Sequence, residues 1–116
     1  MVISMEHMMR LHNGPFKLIK DGSKTIELRL NDEKRQMISV GDTITFENRS
    51  DGEKIIVKVL ALHKYPSFEE LYKHFDKVSM GYKEDEEADP KDMEQYYSSE
   101  EQSKYGVVGI EVELIK

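Results

Sequence analysis

Residues 53–64, EKIIVKVLALHK, form a strand-like run with no glycine or proline to interrupt it. Strands in globular domains are usually about five or six residues long. One roughly twice that length, in a chain of 116 residues, is long enough to bend around a small barrel. Ile55 or Ile56, Val57, Val59 and Ala61 supply the apolar positions on its faces. A turn over Asn48 to Gly52 precedes it. Before that, Val40-Gly41-Asp42 turns the chain into TITFEN, which points Ile44 and Phe46 inward.

Other strands and helices follow from period and punctuation. TIELRL (25–30) places Ile26, Leu28 and Leu30 on one side and Thr25, Glu27 and Arg29 on the other, the pattern of a half-buried strand with a polar outer face. VVGIEVELI (107–115) reads as a strand with Glu111 and Glu113 exposed, and MEHMMRL (5–11) as a weaker first strand. Asn13-Gly14-Pro15 marks a turn, with Pro15 opening a short helix that turns Phe16, Ile19 and Lys20 to one side and ends at Gly22. Ser67 and Glu70 predict a capping box for a helix carrying Phe68, Leu71, Tyr72 and Phe75. Asp89-Pro90 starts another helix over 90–97, and Ser98 or Ser99 one further turn. Without the regular helical crossovers of a parallel sheet, these strands predict an α+β fold. The expected form is a single domain over residues 1–116, a small, mostly antiparallel β-barrel with helices packed at its openings.

Composition narrows the chemistry. There is no cysteine, which excludes disulfides, thiolate zinc sites, iron–sulfur clusters and a cysteine nucleophile. His7, His12, His63 and His74 share no spacing that puts two on one helix face, so no metal site and no cofactor is expected. No apolar run approaches a membrane span, and MVISMEHMMR lacks the continuous apolar segment of a secretory signal. The expected location is the cytoplasm, with no membrane partner. Formal charge is −6, unevenly spread. Residues 83–101 hold nine acids against two bases, whereas residues 10–35 hold seven bases against four acids. A local field, more than the net charge, decides what a cleft attracts. The acidic stretch would repel a long polyanion unless it lay on the far side of the molecule.

The chemically richest segment is Lys20-Asp-Gly-Ser-Lys24-Thr-Ile-Glu27-Leu-Arg29. Lys24 leaves a turn, and Glu27 and Arg29 project from one face of the strand that follows. The ordinary reading is a row of surface ion pairs that adds little stability. At the mouth of a barrel the same three groups make a polar pocket. There arginine forks onto planar acceptors, and glutamate accepts from an amino group. Proton transfer would need Lys24 or Glu27 brought towards neutrality by burial.

The same segment resembles the signature of the ASCH domain family, G-x-K-x-x-E-x-R, in Gly22, Lys24, Glu27 and Arg29. Pro15-Phe16, Ile19, VGDTITF (40–46) and YGVVGIEVEL fit the family too, so the similarity spans nearly the whole chain and looks most like its small stand-alone bacterial and archaeal members. The resemblance implies a PUA-like β-barrel with a cleft lined by the signature residues, in a superfamily whose members bind RNA or nucleotide-derived ligands. The expected binding set is Phe16, Lys20, Gly22, Lys24, Glu27 and Arg29, with Phe16 or one of Tyr96, Tyr97 and Tyr105 stacking on a base. Should the protein be an enzyme, Lys24 and Glu27 are the catalytic candidates. Some ASCH-like proteins remove the acetyl group from acetylated cytidine through a lysine, a threonine and a glutamate. Lys24 matches that lysine, but Glu27 stands where the threonine would, and no glutamate after Ser67 matches the third. Ribonuclease activity is attributed to other members. A third possibility is a protein-interaction module using the acidic 84–101 face. No DNA-specific motif is present, and the oligomeric state is not legible.

Overall fold

A computed structural model describes residues 4–115. The expectation about the first ten residues rests partly on residues 1–3, and the expected domain runs through Lys116; these positions lie outside the described range. Five strands form one mixed sheet in the order β1-β3-β4-β5-β2. They are β1 (Glu6–Leu11), β2 (Ile26–Leu30), β3 (Thr43–Asn48), β4 (Lys54–Tyr65) and β5 (Val107–Leu114). Three of the pairings are antiparallel and one, β1 with β3, is parallel. The sheet curls into a half-barrel. The long β4 bends where its register against β5 slips between Val59 and Ala61, since an extra residue on one strand increases local twist.

Among the described residues there are also four short helices, α1 (Asn13–Lys20), α2 (Glu33–Gln36), α3 (Phe68–Tyr72) and α4 (Ser99–Tyr105), with a 3₁₀ helix over Pro90–Gln95. α1 starts earlier than its proline suggests, because His12 takes the cap position in extended conformation. α2 was not legible; Asp32 caps it by accepting from the backbone N–H of Arg35. The capping box expected at Ser67 is only half formed. Ser67 accepts from the Glu70 N–H, but the Glu70 carboxylate turns to Lys73 instead. The reciprocal box is at Ser98 and Glu101. Of the helix expected over 90–97, Pro90–Gln95 forms, and it winds as a 3₁₀ helix rather than an α-helix.

The core has two parts. Phe16 and Ile19 of α1 join Ile44, Phe46, Val57, Val59, Val108 and Ile110 inside the curl of the sheet. On the other side of β2, Ile26, Leu28 and Leu30 pack with Phe68, Leu71, Met80 and Met93. Gly109 lets α3 lie close there, since a Cβ on it would stand 3.0 Å from Ile26 and 3.4 Å from Leu71. The polar outer face expected for β2 is therefore wrong. Directly paired residues share a face of a sheet, and Glu27 pairs with Ile110 and Arg29 with Val108. Both charged residues thus lie on the inner side of the curl, and all of β2 is sheltered. No helix among the described residues is long and apolar enough to cross a membrane.

Candidate functional site

The sheet does not close on itself: β1 and β2 are its two edges. At the seam between them Arg29 donates from its Nη2 to the Arg10 carbonyl at 3.2 Å. A side chain of β2 thereby reaches the backbone of β1. The same guanidinium donates from Nε to Glu27 at 2.7 Å, and Lys24 Nζ meets the other Glu27 oxygen at 3.1 Å. Lys24, Glu27 and Arg29 thus form a cation–anion–cation triad whose side chains are only 9%, 4% and 13% exposed. It is not a surface row.

Burial works against the Glu27 carboxylate, but the charges and hydrogen bonds of Lys24 and Arg29 outweigh it and hold the group below the ordinary carboxyl value. Burial likewise opposes the Arg29 charge, and Glu27 with the neighbouring Tyr97 more than restores it. Glu27 is therefore ionised and stays so near neutral pH, with both oxygens already accepting. Its first role is to position two cations that cannot otherwise sit this close together in a sheltered place.

The triad forms the floor of a cavity of about 510 Å³. α1 contributes one wall through Gly14, Pro15 and Leu18, while its Phe16 and Ile19 are buried in the core. Another part of the lining is a strap, residues 81–97, which presents Tyr82, Tyr96 and Tyr97, with Tyr72 of α3 beside them. The strap is anchored at its start, because the Ser79 carbonyl accepts from the N–H groups of Thr25 and Ile26. It is latched further on: the Tyr72 and Tyr82 hydroxyls lie 2.9 Å apart, and Tyr82 donates to Asp92 at 2.8 Å. Burial and these bonds push the Tyr82 hydroxyl well above the ordinary phenol value, so it remains a donor.

Gly81 is where strap and triad touch. Its φ is +110°, and a Cβ there would stand 3.0 Å from Lys24 Cδ. Only glycine adopts this conformation without strain while leaving room for the lysine stem. Gly81→Ala is expected to cost about 1–3 kcal/mol, read as the unfolding free energy in urea. An unchanged value would mean that the strap moves aside freely.

Lys24, Glu27 and Arg29 come together as the signature suggested, and Tyr96 and Tyr97 face the cavity. Four other expectations need correction. Phe16 is completely buried in the core and offers no face to a ligand. Lys20 points to solvent and pairs with Glu53. Gly22 takes φ +88° to end α1 and borders a separate depression with Thr25. Tyr105 packs against the outer core instead of lining the cavity. The condition set for the acidic stretch is not met: Glu86 and Asp92 of that stretch line the cavity as part of the strap. Sequence reasoning missed Arg10, Arg49, Tyr72, Gly81 and Tyr82, which reach the site from four different segments. Among them only the glycine gave a signal, and that signal marks a turn as readily as a site.

Comparison with known proteins places this geometry in context. The family model described as the ASCH domain matches residues 9–116. The crystal structure of the hypothetical protein PH0355 is similar at 38% identity, over 96% of this chain and all of that one, with a TM-score of 0.77. The solution structure of protein PF0455 from Pyrococcus furiosus shares 35% identity over 97% of this chain and 99% of its own, with a TM-score of 0.72. A more distant structure, the S128A mutant of ZmASCH from Zymomonas mobilis, is 12% identical. It covers 97% of this chain and 70% of that one, with a TM-score of 0.67, and is alike in fold. Among curated proteins no match is found.

Proposed function

The chain belongs to the ASCH domain family, a family linked to RNA binding, and from that premise we propose that it binds RNA or a nucleotide-derived small molecule in the seam cavity. The observation that carries this reading is the buried triad at the cavity floor. Lys24 and Arg29 are fixed by Glu27, yet each keeps N–H groups beyond those it has spent. A floor of fixed, charged donors suits a carbonyl or phosphate oxygen, and charge-assisted bonds of this kind are among the stronger ones. The tyrosines supply flat apolar surface, and Tyr96, 54% exposed, is the one placed to stack on an entering base. A cavity of about 510 Å³ falls within the range for one small-molecule ligand.

Lys24→Met keeps the stem packed beneath Gly81 while removing the ammonium group. Titration calorimetry with the four ribonucleoside monophosphates and a short mixed-sequence RNA is expected to find binding to the wild-type protein. The substitution should weaken it by about 1.5–3 kcal/mol, roughly tenfold to a hundredfold. Wild-type protein that binds none of these probes would end the proposal.

A further inference from the structure

The mouth of the seam cavity has two unlike rims. One is cationic: Arg49, just past β3, and Arg10, near the end of β1 and largely exposed although its Nε lies 3.6 Å from Glu47, stand there beside His12. The other is the strap, whose Glu86 and Asp92 line the opening together with Lys83. Between residues 83 and 94 the strap carries seven acids against two bases. Its acids are held in place. The Lys83 N–H donates to the Glu86 carboxylate at 2.7 Å, Tyr82 secures Asp92, and Lys77 Nζ binds the carbonyls of Glu84 and Glu86 at 2.8 and 2.6 Å. The negative rim is therefore a fixed wall and not a loose tail.

A nucleotide within an RNA chain carries a phosphate on each side. With its base in the cavity, one phosphate can rest on the Arg10 and Arg49 rim, and the next is driven against the strap. Like charges brought together at a partly desolvated contact suppress association strongly. We infer that the cavity accepts a nucleotide bearing phosphate on one side only, and that Glu86 and Asp92 reject an internal segment of RNA. This rests on the nucleotide-binding reading above and narrows it. A free mononucleotide and the hydroxyl-ended terminal nucleotide of an RNA share the required chemistry.

Three probes separate the cases with the full chain: ribonucleoside 5′- and 3′-monophosphates, a short linear RNA with a hydroxyl at each end, whose terminal nucleotides carry phosphate on one side only, and the same sequence closed into a circle. The circle has no end. It is expected to bind roughly tenfold or more weakly than whichever of the other two binds better. Tight binding of the linear form assigns the site to RNA termini, and binding of the monophosphates alone assigns it to free nucleotides. Because only one phosphate is engaged, log K should fall with log salt by less than about one unit per unit. In a Glu86→Gln, Asp92→Asn double variant, whose asparagine still accepts from Tyr82, the discrimination ratio should drop to about threefold or less. A melting temperature close to the wild type establishes that the variant is folded.

A circle that binds the wild type as tightly as the other probes overturns this inference and leaves nucleotide binding intact. A circle still excluded from the double variant removes the strap charges as the cause. Failure of every probe to bind overturns the nucleotide reading itself.

Discussion

Glu27→Ala should unfold far more easily than the wild type, with about 3–5 kcal/mol lost, measured by urea denaturation at neutral pH. The cause is less the loss of two ion pairs than what remains: Lys24 and Arg29 stay sheltered and adjacent, with no anion between them. A double-mutant cycle distinguishes this from simple packing loss. Removing the Lys24 charge as well, in a Glu27→Gln, Lys24→Met double variant, should recover stability relative to Glu27→Gln alone. Additive losses would show that the three groups act independently. The pH dependence carries the same information. The folded-state pKa of Glu27 lies below the ordinary value, so its contribution is complete above the ordinary carboxyl range. It drains away as pH falls through that range towards the lowered folded value, because the unfolded chain takes up the proton first. Asp42 adds a parallel loss, since His7 and the N–H groups of Met5 and Ser39 outweigh its burial and hold it low as well. The Glu27→Gln variant isolates the Glu27 share: its stability should decline less steeply in acid than that of the wild type.

What was legible in the sequence divides along a physical line. Alternation is a local property, and it located β2, β3, β4 and β5, because each strand buries at least one face against a neighbour. Which face of β2 looks inward is not local. Ile26, Leu28 and Leu30 resemble the residues of an inner face, yet a second core built from α3, Met80 and Met93 claims them. The inner position is left to Glu27 and Arg29, which are tolerable there only because they neutralise one another at an open seam. The signature named the triad without revealing that it is buried. The position of the strap was not legible for a similar reason. A run of acids reads as solvated surface, and its outer side is; but Tyr82 and Met93, set among those acids, fasten the segment over the cavity. Arg10 and Arg49 converge through the parallel pairing of β1 with β3, a long-range contact no periodicity records.

Phe16→Ala tests the correction with the clearest consequence for the site, and a loss of about 3–5 kcal/mol in stability is expected. α1 has two working faces. Gly14, Pro15 and Leu18 border the cavity, while Phe16 and Ile19 seat the helix against β3 and the inner core. A phenyl ring with no exposed surface cannot stack on a ligand, but removing it leaves a void beneath the wall that shapes the cavity. Two measurements separate the roles. Urea denaturation should show the full loss of stability. Nucleotide titration of the protein that remains folded, at low temperature and without denaturant, should give an affinity within about threefold of the wild type, well short of the loss typical of a stacking residue. Tyr96→Ala should reverse the pattern, with stability nearly unchanged because the side chain is half exposed and affinity reduced because it is the ring at the mouth. If Phe16→Ala abolished binding while leaving the unfolding midpoint in place, the helix would have to be turned over and its apolar face assigned to the ligand.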